Sequence, residues 1–125
     1  MKYIFTLIVL LNAALGFSQE AVFYVQKSTV KFPKTNEGDT LSHYFVFENS
    51  GTKPLKIERY EVECDCTVLD FPKYEIQPGA KDSVRLLFDT NGKYYFQDRT
   101  VLVYTNSKKK MTTLRFKVNV IPKED

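Results

Sequence analysis

Two cysteines, Cys64 and Cys66, are separated by Asp65 alone in the run Val62-Glu63-Cys64-Asp65-Cys66-Thr67. No other short run in the chain invites a chemical reading, and this one admits three. In a flat strand, residues i and i+2 stand ~6.6 Å apart with parallel side chains. A disulfide needs Cβ atoms at ~3.5–4.5 Å. The first reading is an intramolecular disulfide or a packed thiol pair with a local structural job, and the disulfide closes only if the chain turns at Asp65. Aspartate tolerates the left-handed region better than most residues. Closing so short a loop constrains the unfolded chain little. The second reading is a redox-active or inter-chain thiol pair. The third is a metal site, since two thiolates suit Cu(I) or part of a zinc site. Zinc wants four ligands, and Cys64, Cys66 and His43 are the soft or borderline donors, with Met111. A closed site would borrow Glu63 or Asp65, or a second chain.

His43 is the single histidine. It is in phase with Leu41, Phe45 and Phe47, which directs it inward or to a rim, as a hydrogen-bonded core residue. No serine or cysteine nucleophile is tied to it by spacing, and a nucleophilic triad needs a further orienting group. The chain therefore reads as non-enzymatic, with no catalytic residue and no cofactor site. Lys108-Lys109-Lys110 reads as a solvated hairpin turn. Tyr94-Tyr95-Phe96 follows a glycine turn and is expected to plug one end of the fold; its sharper alternative is a glycan or protein contact.

The elements that position these residues show period-two alternation between turn signals, the mark of strands. Val30 and Phe32 alternate with Thr29 and Lys31 until Pro33. Leu41, His43, Phe45 and Phe47 share one face of the next strand, closed by Asn49-Ser50-Gly51-Thr52 and Pro54. Leu55 and Ile57 lie on odd positions, whereas Tyr60, Val62, Cys64 and Cys66 are even. A one-residue slip turns every side chain over, so a bulge or bend is expected near Glu58-Arg59. A short extended piece spans Tyr74 to Ile76 between Pro72 and Pro78-Gly79. Val84, Leu86 and Phe88 make another strand, Val101 and Val103 the next. Leu114, Phe116, Val118 and Val120 form the last. About seven strands with frequent turns predict an all-β fold, an immunoglobulin-like antiparallel β-sandwich.

The first residues stand apart. Lys2 precedes an apolar run from Tyr3 to Leu11, and Gly16 and Ser18 occupy the −3 and −1 positions for a cut before Gln19. That is the grammar of a secretory signal peptide over residues 1–18. The run is too short and, at Asn12, too interrupted for a membrane anchor. With no cysteine near the cut, no lipid anchor is expected, and no transmembrane anchor is left after cleavage. Removing residues 1–18 from the 125 leaves 107, enough for one modest core, and loses only Lys2, taking the formal net charge from +3 to +2. So weak a balance does not call for nucleic acid as a partner.

The ordered set Glu37-Gly38, His43-x-Phe45-x-Phe47-x-Asn49-x-Gly51, Pro54-Leu55-x-Ile57, Cys64-Asp65-Cys66-Thr67, Pro78-Gly79, Val84-x-Leu86-x-Phe88 and Thr105-Asn106 resembles the DUF1573 family. These are exported bacterial domains of unknown function, similar to the immunoglobulin-like ASPM/SPD-2/Hydin modules. The resemblance covers about residues 28–121, leaving a lead-in at 19–27 and a tail at 122–125. It implies an immunoglobulin-like sandwich and an envelope location, periplasmic or extracellular, and no reaction. Pro33, Asp65 and Asn119 depart from the family pattern, each standing where glycine is common. The function expected is a binding or structural module whose partner is another envelope or secreted protein. The alternative is thiol–disulfide redox or Cu/Zn handling through Cys64 and Cys66.

Overall fold

The computed structural model describes residues 19–124, so the expected leader over 1–18, with Ser18 at its cut, lies outside the described residues. Nine strands are present among them. They are β1 (Phe23–Val25), β2 (Thr29–Lys31), β3 (Thr35–Asn36), β4 (Thr40–Asn49), β5 (Ile57–Val62), β6 (Thr67–Asp70), β7 (Lys81–Asp89), β8 (Tyr95–Thr105) and β9 (Met111–Ile121). One sheet runs β1-β4-β7-β6. The other runs β2-β9-β8-β5, with β3 also on β9. Apart from β2 and β3, the seven strands fall in the order of a constant-type immunoglobulin sandwich. β2, the strand expected before Pro33, and β3 lie outside that order, and both pair parallel with β9.

Alternation decides which faces meet. Phe45 and Phe47 of β4, Val84, Leu86 and Phe88 of β7, Val101 and Val103 of β8, and Leu114, Phe116, Val118 and Val120 of β9 are all buried. Phe88 and Phe116 meet across the sheets with centroids 4.9 Å apart. The register of β5 on β8 shifts between Ile57 and Arg59, where the sequence changes phase. Leu55 and Ile76 form a lone antiparallel bridge, the expected extended piece. The lead-in at 19–27 differs from its reading. It carries β1, and Ala21 and Phe23 join the core. Three residues are too few for period-two alternation to register.

Among the described residues Asn49, Thr67, Thr90, Thr105 and Ser107 are the buried polar ones, and Asn49 ties the most elements together. Asn49 is fully buried at the end of β4, in phase with Phe45 and Phe47. Its Oδ1 accepts from the Val22 and Gly51 amides at 3.2 and 3.0 Å. Its Nδ2 donates to the Lys53 and Ile76 carbonyls at 2.7 and 3.0 Å. One amide thus ties the start of β1, the β4–β5 loop and the Leu55–Ile76 bridge. Gly51 lies so close to the incoming chain that an added Cβ would stand 2.1 Å from the Glu20 carbonyl oxygen.

Asn49→Ala leaves the part-buried Val22 and Gly51 amides and the Lys53 carbonyl without this partner, while the Ile76 carbonyl keeps its bond from the Leu55 amide, and each unsatisfied group costs about 1–3 kcal/mol. Urea unfolding of the variant should show a loss of at least about 3 kcal/mol, against less than about 0.5 kcal/mol for the exposed control Val46→Ala.

Candidate functional site

β5 belongs to one sheet and β6 to the other, so the chain between them must change sheets. Cys64 and Cys66 stand in that crossing. They are joined by a disulfide, with Cα atoms 5.2 Å apart, closer than extended backbone allows. Glu63 and Cys64 bend and Asp65 and Cys66 turn, and Asp65 does so without the left-handed backbone expected of it. The Thr67 amide donates to the Cys64 carbonyl at 3.2 Å, and the Asp89 amide donates to the Cys66 carbonyl at 2.9 Å. The even phase read through Cys66 holds: Tyr60, Val62, Cys64 and Cys66 are half-buried between exposed Glu61, Glu63 and Asp65. Thr67 and Leu69 are buried on odd positions once more, because the turn at Asp65 resets the phase. Both cysteines are half-buried, and Cys66 packs against the core.

His43 lies elsewhere. It stands on β4 opposite Leu86 of β7, which in turn faces Leu69 of β6, so β7 separates it from the strand that follows Cys66. Among the described residues no three His, Cys, Asp or Glu side chains converge in metal-binding geometry. The half-buried ring meets Phe45 edge-on at 4.7 Å between centroids and Phe32 at 6.1 Å. Beside it is a notch of about 240 Å³ with Tyr24, Gln26, Lys27, Val46 and Lys81 in its lining.

The aromatic run after Gly92 is a correction. Tyr94, Tyr95 and Phe96 are 54, 68 and 61% exposed and plug nothing. Tyr95 has φ 64°, which turns its side chain off the inward phase of β8. A second apolar surface was not read from the sequence. Tyr24, Tyr44, Val46 and Val68 are exposed on the outer face of the β1-β4-β7-β6 sheet. Their even-numbered alternation against buried odd positions was the available signal. Lys108-Lys109-Lys110 is the exposed turn of the β8–β9 hairpin, as expected.

Residues 23–120 match the model of DUF1573, described as a protein of unknown function. No curated protein sequence matches the chain. A protein of unknown function from Porphyromonas gingivalis W83 superposes with TM-score 0.70 at 14% identity, over 84% of this chain and 50% of that one. The chain thus spans half the length of that protein. The ASH/PapD-like domain 7 of human CEP192 gives TM-score 0.62 at 14% identity, covering 88% and 92%. The Escherichia coli chaperone DraB gives 0.55 at 14% identity, covering 82% and 56%. At these identities the likeness is one of fold, a PapD-like or immunoglobulin-like sandwich.

Two measurements probe the site. Replacing both cysteines by serine removes a bridge across so short a loop that its chain-entropy contribution is about 2 kcal/mol or less. Thermal unfolding of Cys64→Ser/Cys66→Ser should stay cooperative, with the midpoint lowered by no more than about 10 °C. Burial holds the His43 imidazole below its ordinary 6.5, because desolvation disfavours the charged ring. The unfolded chain then takes up the proton first. Stability is whole above about pH 6.5 and falls as pH drops from there towards the folded-state value. Glu61, held low by its bond from Arg59, and Asp98, held low by Arg115, act only at more acidic pH. His43→Phe should flatten the urea midpoint between about pH 7 and about pH 5.

Proposed function

Because the chain belongs to the DUF1573 family, whose function is unknown, and has the fold of PapD-like modules, we propose that it is a non-enzymatic protein-interaction module of the bacterial envelope. The leader-like residues 1–18 support export. The observation that carries the interaction reading is the outer face of the β1-β4-β7-β6 sheet. Its inner face is closed by the core, yet Tyr44 and Val46 on the outer face are 56 and 60% exposed. Tyr24 and Val68 extend the same face. Tyr44 and Val46 are neighbours on one strand face with Glu48, Arg85 and Asp70 around them, and exposed apolar groups rimmed by polar residues mark contact surfaces. The partner is another envelope or secreted protein. In this reading the Cys64–Cys66 bridge fastens the sheet crossing and takes no part in turnover.

A photo-crosslinking amino acid placed in living cells at Tyr44 or Val46 should yield one defined adduct. The same group at Lys117, on the other sheet's outer face, should not. Equal labelling from all three positions, or from none, would remove the reading.

A further inference from the structure

Among the described residues the sheets end in β1 and β6 and in β2, β3 and β5, and β4 and β9 are covered on one side over only part of their length; these open edges are not equivalent. β1, β2 and β3 are two or three residues long, and the longest bare stretch of β9 is residues 111–114. β5 carries the register slip beside Glu58, the Arg59–Glu61 ion pair, and Arg59 stacked over Tyr104 at 3.8 Å. Bulge and charge are two devices that blunt an edge against added strands. β6 is four residues long, bounded by the disulfide turn and Pro72. β4 is different. β1 covers it only at Phe47, Glu48 and Asn49. From Thr40 to Val46 it has β7 on one side and, among the described residues, no strand on the other. That stretch holds no bulge, no proline and no Asp, Glu, Lys or Arg.

Ladder parity shows which backbone groups are open. The Asn49 amide donates to the Ala80 carbonyl, and the Asn49 carbonyl accepts from the Gly79 amide, so odd residues of β4 bond towards β7. The Ser50 amide donates the other way, to Val22. Even residues therefore face the β1 side. Beyond Glu48 these are Val46, Tyr44 and Ser42, whose amides and carbonyls point past the end of β1. What satisfies such a row is another extended main chain.

The surroundings select its charge. From Ala21 to Asn36 the chain carries Lys27, Lys31 and Lys34 and no carboxylate. This is the segment that crosses from β1 to β2. The Phe32–His43 contact holds it beside the β4 edge. Lys27 and Lys81 line the notch there, with Glu48 the one acidic residue among its lining groups. Two copies of this chain paired edge to edge would set their lysine-bearing crossings against each other.

We propose that the open edge of β4, residues 40–46, receives an extended segment of a partner protein as an added strand, with an uncharged alternating centre and acidic flanks. This rests on the interaction reading above and names its edge and the partner's chemistry. Main-chain bonds to Ser42, Tyr44 and Val46 supply the docking. The notch takes a small apolar side chain. The lysines fix the sign of the flanks.

The probe is a fluorescent synthetic peptide with a threonine–valine alternating centre and two aspartates at each end, beside a twin ending in lysines. Fluorescence anisotropy should show the acidic peptide binding at least about tenfold tighter than its twin, with the difference shrinking as salt rises from about 0.05 to about 0.5 M. Amide exchange of Ser42, Tyr44 and Val46 should slow on saturation. Val46→Pro removes one edge amide and spares every bond to β7; it should weaken binding about tenfold. Lys27→Glu/Lys31→Glu leaves the edge intact and should reverse the preference between the peptides. Equal binding of both peptides, protection at β5 or β6 instead, or no binding at millimolar peptide would each overturn the proposal. So would a concentration-dependent dimer, without peptide, that Val46→Pro abolishes, because a second copy would then be the occupant. In-cell adducts from Tyr44 that survive Val46→Pro would sink the edge and leave the interaction reading standing.

Discussion

The fold depends on the amide of Asn49. A buried side chain with two donors and two acceptor lone pairs is tolerated only when its partners are all in place. Here the partners come from Val22, Gly51, Lys53 and Ile76, which no regular ladder would otherwise connect. The bonds are simultaneous, so the pieces are placed together. The start of β1 is set against the end of β4, and the loop after Ser50 is folded back under it. Gly51 has to be glycine for closeness of approach, since the Glu20 and Val22 backbone occupies the space a Cβ would need. A second clamp acts similarly one loop away. The Asn106 Oδ1 accepts from the Lys56 amide at 2.8 Å, and its amide group donates to the Pro54 carbonyl at 3.2 Å.

These two clamps recast the residues that carry the family resemblance. Asn49-x-Gly51, Pro54-Leu55-x-Ile57, Pro78-Gly79 and Thr105-Asn106 are scattered in sequence, and they converge on the ends of β4, β5 and β8. Gly79 donates its amide to the Asn49 carbonyl at 2.7 Å, and Leu55 and Ile76 exchange both backbone bonds. The cysteine pair belongs to the same logic. It sits where the chain leaves one sheet for the other, and the turn at Asp65 restores the inward phase for Thr67 and Leu69. A signature whose members all hold strand ends and crossings describes an architecture more than a reaction.

Much of this was legible residue by residue. The long strands announce themselves because Phe45, Phe47, Val84, Leu86, Phe88, Leu114 and Phe116 alternate without interruption. The slip near Glu58 follows from the switch of apolar phase after Ile57. Asn49 was legible in principle, as a polar residue on the inward phase of an otherwise apolar strand. β1 was not, because its three residues pair by tertiary contact rather than by pattern. The exposure of Tyr94, Tyr95 and Phe96 was missed for a related reason. Position beside a turn argued for a plug, while the left-handed backbone at Tyr95 rotates the run away from the core. Which edge stays open is the least legible feature, since it depends on where one strand leaves another.

That departure has a physical cause. β4 and β9 are neighbouring edges of opposite sheets, ten and eleven residues long. The single segment from Ala21 to Asn36 has to cover both. Asn49 anchors its beginning to β4, so β1 starts in fixed register and covers three residues. Phe32 then packs against Phe116 at 6.4 Å, drawing the rest of the segment to β9, where β2 and β3 pair with five residues. A segment that stayed with β4 would bury less apolar surface and leave β9 open along its length. Splitting the cover satisfies the core and the Asn49 clamp together, and the uncovered seven residues of β4 are what that division leaves exposed.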